Sequence, residues 1–247
     1  NAPEAFQKKT VVSQHLAFLR DFFRTYKNLS DAQLDVVEIL VRKLYLQWHI
    51  SDHSDLSQKK SLDYPILSDL YALADETLKH YGEQRHAIYT EELLRSVCLA
   101  LYSISSGADS RFFNGHTNIK SSRFVTFGVK SLLSADRNLR DAMLFNVLSY
   151  MSDQLLSLGN TVATLDEFYL FLSNKTAVEY IRNFSKRVRK RDSAIIIASQ
   201  NLEDFELPEI KELTKPLFAI PTHQFLFNSG TIDSKFYMDT LGLTESE

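Results

Sequence analysis

The stretch Thr161–Leu172 reads TVATLDEFYLFL. β-Branched and apolar residues run up to two adjacent acids, Asp166 and Glu167, and a helix-like run follows. β-Branched residues favour strands. Ligands in open α/β sheets bind beyond the carboxyl ends of strands. An aspartate at such an end can hold magnesium, usually through water, and the acid beside it can orient or deprotonate an attacking water. Asp166 and Glu167 suit those two roles. The same pair also suits an ordinary helix N-terminus, where negative charge complements the dipole, and spacing alone does not separate the two readings. A nucleotide site of this kind further needs a G-x-x-x-x-G-K-[ST] loop, whose backbone and lysine cradle the phosphates. None of the seven glycines belongs to such a pattern, and none is followed by lysine.

Two neighbouring stretches bear on the same question. SAIIIASQ, Ser193–Gln200, reads as a strand ending in a polar amide. In nucleotide-hydrolysing sheets, a polar residue on the strand beside the acidic one can contact the terminal phosphate; a loop-capping glutamine is the plainer alternative. KRVRKR, Lys186–Arg191, is cationic at every position but Val188. It can reach a phosphate on a neighbouring subunit, as an arginine finger does, or touch a nucleic-acid backbone. It also suits a solvated helix end. The histidine pairs His49/His53 and His80/His86 have no further ligands at metal-site spacing and read as surface residues. Cys98 lies on an apolar helical face and reads as core.

Outward from these motifs, the chain changes character near residue 110. Before it, helices dominate. In residues 8–26, Val12, Leu16, Leu19, Phe23 and Tyr26 recur at helical spacing. Residues 30–48 restart the pattern, with Ser30 and Gln33 placed as a capping box. Residues 50–64 are polar and read as a loop. Pro65 suits the first turn of a helix running to 81, and Thr90 caps another that ends near Gly107. After residue 110, RFVTFGV (123–129), TVATL (161–165), SAIIIAS (193–199), LFAIP (217–221) and QFLFN (224–228) read as strands. Helices are expected at 135–158, closed by Gly159, at 174–191, and at 233–242. Strands alternating with helices predict a mainly parallel sheet with helices on both faces. The expected fold class is therefore α/β at 111–247, with an all-α sub-domain at 1–110.

Composition bounds the rest. The chain has 247 residues, 44% hydrophobic and 24% charged, enough for a sizeable core. Few glycines (7) and prolines (5) agree with a helix-rich chain. A net charge of −3 supplies no global basic field to recruit nucleic acid, so any such contact would be local. The single cysteine precludes an intrachain disulfide and fits a reducing compartment. No apolar run approaches the ~20 residues of a membrane span. The chain opens NAPEAF, without an initiator methionine, and reads as a piece of a longer protein.

Taken in order, the motifs and the stretches between them resemble the motor ATPases of bacterial conjugation and type IV secretion. These are the TraC/TrbE-like and VirB-type proteins within the FtsK/HerA-like group of RecA-type P-loop motors. YPILSDLYALA looks like the family's Pro-Thr-Leu-x-Asp-Leu-Tyr helix start, and FFNGHTNI is similar to its Phe-Asn-x-x-Thr-Asn-Val stretch. VATLDEFYLFL stands where its Walker B strand does, and FSKRVRKRDSAIIIASQNLEDF resembles its Arg-Lys segment running into the sensor strand. The resemblance spans about 60–240. Thr164, where the Walker B strand is usually apolar, and Ser199, in place of the common threonine, depart from the pattern.

The resemblance implies a RecA-like core with an all-α insertion, lacking here the segment that carries the phosphate loop. It implies ring assembly, as hexamers, with ATP and magnesium bound at the subunit boundary of the complete protein and none expected on this chain alone. Asp166 takes the place of the magnesium-supporting acid, Glu167 that of the catalytic base, and Gln200 that of the sensor. Arg189 and Lys190 match the family's Arg-Lys pair, which serves a neighbour's phosphates; Arg187 and Arg191 are further candidates for nucleotide contact. Implied partners are other secretion components and a DNA or protein substrate, at the cytoplasmic face of the membrane. An FtsK/HerA-type DNA translocase and a catalytically dead scaffold are the alternatives.

Overall fold

The computed structural model describes residues 10–83, 88–119, 122–172, 174–200, 203–227 and 234–244. The chain divides into two compact units, 1–146 and 147–247. The compositional change near residue 110 falls inside the first of them.

The first unit is helical. Helix α1 (Val11–Lys27) starts where the Thr10 side chain accepts the Ser13 N–H, and stops at Asn28 in the left-handed region (φ 51°). Helix α2 (Asp31–Gln47) follows, and the Ser30–Gln33 capping box forms as expected. Helix α3 (Leu67–Lys79) begins after Ile66, so Pro65 lies before the helix rather than in its first turn. The cap is made by Asp69, which accepts the Ile66 N–H at 2.8 Å. That requirement for the Ile66 donor makes Ile66 the N-cap and fixes the start at Leu67, two residues beyond the proline. Helix α4 (Glu91–Ser105) is capped by Thr90, and a short α5 (Ser110–Phe113) follows. Leu34, Leu40, Ala74, Leu94, Val97 and Leu101 are buried where α2, α3 and α4 pack together. Asn114 joins three pieces: its carbonyl accepts the Ser68 N–H, and its amide donates to the Ser105 carbonyl, both at 2.9 Å. Tyr26 donates to Asp109 at 2.6 Å; burial and that carboxylate raise its pKa. Helix α6 (Arg137–Asp153) carries the boundary between the units, and Phe145 stacks on Phe18 at 5.6 Å within the first.

The second unit is built around two parallel strands, β1 (Val162–Leu165) and β2 (Ala194–Ile197), with Val162 opposite Ala194 and Leu165 opposite Ile197. A parallel pair needs a crossover. Here it contains α7 (Tyr169–Leu172) and α8 (Lys175–Ser185), whose Ala177, Val178, Ile181 and Phe184 are buried. Helix α9 (Lys211–Ala219) packs beside α8, and α10 (Ser234–Leu241) follows. At the entry to β1, Gly159 has φ 74°, and a Cβ there would lie 2.8 Å from the Arg191 carbonyl oxygen. Ser193 reinforces that end: its hydroxyl donates to the Leu155 carbonyl at 2.9 Å and accepts the Thr161 N–H.

Three strand expectations are corrected. Residues 123–129 and 224–227 enter no ladder, and LFAIP lies mostly within α9 and just beyond it. Composition marks a residue as fit for a strand, but a strand exists only where a neighbour pairs with it. A four-residue apolar run fits a helix equally well, and Leu213, Thr214 and Leu217 do fall at helical spacing. Asn228, the end of the last expected strand, lies outside the described residues. Among the described residues, the two faces of the strand pair differ in burial. On β1, Ala163 and Leu165 are buried while Val162 is 65% exposed, and Ile196 on β2 is 53% exposed.

Candidate functional site

Because β1 and β2 run parallel, their carboxyl ends lie at one edge. That edge brings Asp166, Glu167 and Gln200 together. The register continues beyond the ladder: the Ala198 N–H donates to the Leu165 carbonyl at 2.9 Å, and the Phe168 N–H to the Ala198 carbonyl at 3.0 Å. Residues 166–168 are thereby tied to the residues just before Gln200. The anchor beneath them is aromatic. Phe168 is fully buried, stacked on Phe205 at 5.4 Å and close to Phe171, and Phe205 meets Phe218 edge-on at 5.1 Å. Thr214 donates to the Phe205 carbonyl and holds that ring's backbone in place.

Glu167 stands in an unusual position. Its φ is 52°, a left-handed conformation that costs a non-glycine residue about 1–3 kcal/mol and recurs at functional sites. The Asp166 carboxylate accepts the Glu167 N–H at 3.0 Å, which steadies the turn. The Gln200 amide donates to Glu167 Oε1 at 2.7 Å. Glu167 Oε2 is buried with no hydrogen-bond partner among the described residues. A carboxylate oxygen kept from solvent and left unbonded is costly. Asp166 is exposed at the strand tip. Thr164, the departure within the Walker B-like strand, points its hydroxyl to the open face and disturbs no core.

The basic residues occupy the other end. After α8 the chain makes a short 3-10 turn, Val188–Arg191, then a left-handed Asp192 (φ 51°) and β2. Val188 is buried and fixes the turn. Lys186, Arg187, Arg189, Lys190 and Arg191 are all exposed, and none forms an ion pair among the described residues. At about 3.3 Å per residue, β2 alone sets roughly 13 Å between this turn and the acidic edge. Within one chain, therefore, Asp166, Glu167 and Gln200 form one cluster, and Arg187, Arg189, Lys190 and Arg191 form another.

Sequence reasoning found each of these residues but not the direct Gln200–Glu167 bond, nor the aromatic anchor. The phenylalanines, Phe168 and Phe171 on one side and Phe205 and Phe218 on the other, were the signal that could have found it. Of the histidines, His80 lies 3.2 Å from Glu83, and His86 is outside the described residues. Cys98 is buried, and its surroundings raise its thiol pKa through desolvation. No group of three or more metal-ligating side chains occurs among the described residues, so a cation at Asp166 would need phosphate and water oxygens to complete its shell. Asp166 and the unbonded Glu167 oxygen fit the metal and water side of a magnesium–nucleotide site. Nothing in the sequence fits the phosphate-loop side.

No protein-family model matches the chain. It is 26% identical over 137 residues to a probable conjugal transfer protein, the second portion of TrbE, of Sinorhizobium fredii, a match that covers 53% of this chain and 20% of that protein. Among solved structures it is similar to VirB4 of Thermoanaerobacter pseudethanolicus, with a TM-score of 0.81 and 26% identity, over 97% of this chain and 63% of that one. The chain thus spans a fifth of the curated relative and less than two thirds of the solved one. No helix among the described residues is long and apolar enough to cross a membrane.

Proposed function

We infer, from the chain's similarity to a probable conjugal transfer protein and to VirB4, that it forms part of an ATPase powering substrate transfer or pilus assembly. The observation that carries this reading is the meeting of Asp166, Glu167 and Gln200 at the carboxyl edge of two parallel strands, with Gln200 bonded to Glu167 at 2.7 Å. Bound magnesium and ATP would supply a phosphate made susceptible to attack by neutralised charge. Asp166 would hold the magnesium through water. Glu167 would take the proton of the attacking water on Oε2, the oxygen that has no partner. Gln200 would keep the Glu167 carboxylate aimed and sense the terminal phosphate.

In this reading the second unit is the Walker B and sensor portion of a RecA-like core, and the helical residues 1–110 are an insertion. The phosphate loop comes from sequence outside these 247 residues. The complete motor works as a hexameric ring at the cytoplasmic face of the membrane, with secretion components as partners and DNA or protein as substrate. Arg189 and Lys190, with Arg187 and Arg191 beside them, serve the phosphates of a neighbouring subunit. A catalytically silent scaffold is the second reading, and the lack of a phosphate loop within the chain is the observation in its favour. An FtsK/HerA-type translocase is a further alternative, and the FFNGHTNI and YPILSDLYALA stretches favour the first reading over it.

The 247-residue chain alone is expected neither to bind Mg-ATP at micromolar concentration nor to hydrolyse it above background, because the main phosphate cradle is missing. Titration calorimetry tests this. Micromolar affinity would overturn the reading that the loop lies elsewhere.

A further inference from the structure

The bond between Gln200 and Glu167 is made near the surface: Gln200 is exposed and Glu167 half-buried. Water competes for such groups, so a bond of 2.7 Å between them does not hold itself in place. Its geometry has to come from the backbone beneath. On one side, Glu167 is followed directly by Phe168, whose N–H is tied to the Ala198 carbonyl and whose ring is fully buried. On the other, Gln200 precedes the 3-10 turn Glu203–Glu206, which carries Phe205. The two rings stack at 5.4 Å, with their planes 16° apart. One aromatic pair therefore links the chain next to the acid with the chain that follows the amide.

Helix α9 grips Phe205 twice. Thr214, 1% exposed, donates its hydroxyl to the Phe205 carbonyl at 2.6 Å, and Phe218, one helical turn further on, meets the Phe205 ring edge-on at 5.1 Å. A threonine hydroxyl has a single proton to give. The Ile210 and Lys211 carbonyls stand farther from it, at 3.2 and 3.0 Å, and the Ile210 carbonyl already accepts the Thr214 backbone N–H. The proton is thus committed to Phe205. We propose that Thr214 and Phe205 are positioning residues for the hydrolytic site: the Thr214 hydroxyl fixes Phe205, the Phe205 ring fixes Phe168, and Phe168 holds the left-handed Glu167 within reach of Gln200. The proposal deepens the nucleotide reading and rests on it for its effect on turnover. Without the hydroxyl, the Phe205 carbonyl is a buried acceptor that has lost its donor. The turn shifts to find another, the ring slides from Phe168, and Glu167 and Gln200 part although neither has been altered.

Thr214→Val removes the hydroxyl while keeping the branched shape, and Thr214→Ser keeps the hydroxyl. The first read-out needs no nucleotide. In the 247-residue chain, the Gln200 side-chain amide protons are followed by NMR, with Glu167→Ala marking their position when the bond is absent. Thr214→Val is expected to move these signals most of the way to that position, and Thr214→Ser to leave them where the unsubstituted chain has them. The second read-out is ATP turnover in a version of the protein that carries a phosphate loop. Thr214→Val should lower kcat by ~10–10²-fold, the scale of cost for displacing a reacting group by about 1 Å, with nucleotide affinity unchanged. Thr214→Ser should retain most of the rate. If Thr214→Val does not fold, Phe205→Leu, which removes the stacked ring and keeps an apolar side chain, is read in the same way. Gln200 signals that stay in place in a folded Thr214→Val or Phe205→Leu chain overturn the proposal, and so does a fall in kcat that is as deep in Thr214→Ser as in Thr214→Val. Shifted signals with an unchanged kcat uphold the positioning and count instead against Glu167 as the base.

Discussion

Glu167→Gln, made in a version of the protein long enough to carry a phosphate loop, is expected to lower ATP turnover by ~10²–10⁴, the usual effect of removing one acid–base group. ATP binding should persist. The substitution keeps the length of the side chain and leaves a carbonyl oxygen to accept the Gln200 amide, which lies 2.7 Å from Glu167 Oε1 in the unsubstituted chain. What it removes is the basicity of the oxygen that has no partner. Steady-state phosphate release and equilibrium nucleotide binding, measured side by side, separate the two effects. Near-normal turnover would mean that Glu167 is not the base, and the two acids would revert to complementing the start of a helix.

The second large effect concerns the cluster at the opposite end of β2. Arg189 and its neighbours lie roughly 13 Å or more from the acidic edge of the same chain, too far for their guanidinium groups to meet a phosphate held at Asp166 and Glu167. If they serve a nucleotide at all, it belongs to a neighbour. Arginine fingers contribute ~10³–10⁵ in rate. Arg189→Ala in the assembled protein is therefore expected to abolish assembly-dependent hydrolysis while monomer nucleotide affinity stays nearly unchanged. If the proposed ring forms, mixing it with the Glu167→Gln variant should restore some of the activity, because boundaries would then occur with an intact Glu167 on one side and an intact Arg189 on the other. Unchanged hydrolysis in the single variant would leave the turn as a solvated surface. Unchanged hydrolysis with weakened, salt-sensitive DNA binding would assign it to a nucleic-acid backbone.

What the sequence displayed and what it hid divide along a physical line. Local rules carried the Ser30–Gln33 capping box, the Thr90 cap and the Gly159 turn, because each depends on residues within a few positions of one another. They also carried β1 and β2, whose runs of β-branched residues end at polar groups. Residues 123–129 and 224–227 also carry apolar and aromatic residues, yet enter no ladder among the described residues. Pairing is a property of two segments, and a missing partner leaves no mark on the segment itself. LFAI was misread because four apolar residues carry no period, while the wider spacing of Leu213, Thr214 and Leu217 does.

The site followed the same division. The sequence placed Asp166 and Glu167 at a strand end and Gln200 at another. That they share one edge follows once the strands are parallel neighbours. The left-handed Glu167 and its bond to Gln200 come from the tie between Phe168 and Ala198, a contact across thirty residues that no local pattern encodes. The separation of the basic turn from the acids was implicit in the order helix, basic run, strand, glutamine, since a strand cannot bring its two ends together.

The most direct test of the central claim, that Asp166, Glu167 and Gln200 form the metal and water side of a nucleotide site, is a cleavage map. A version of the protein carrying a phosphate loop, held in its monomeric state, is loaded with ATP and Fe²⁺ in place of Mg²⁺ and then exposed to ascorbate and peroxide. Radicals generated at the metal cut the backbone beside it. The account predicts ATP-dependent cuts next to Asp166–Glu167 and next to Gln200, and none at Lys186–Arg191. Cuts confined to other segments, or an unchanged pattern in Asp166→Asn, would contradict it.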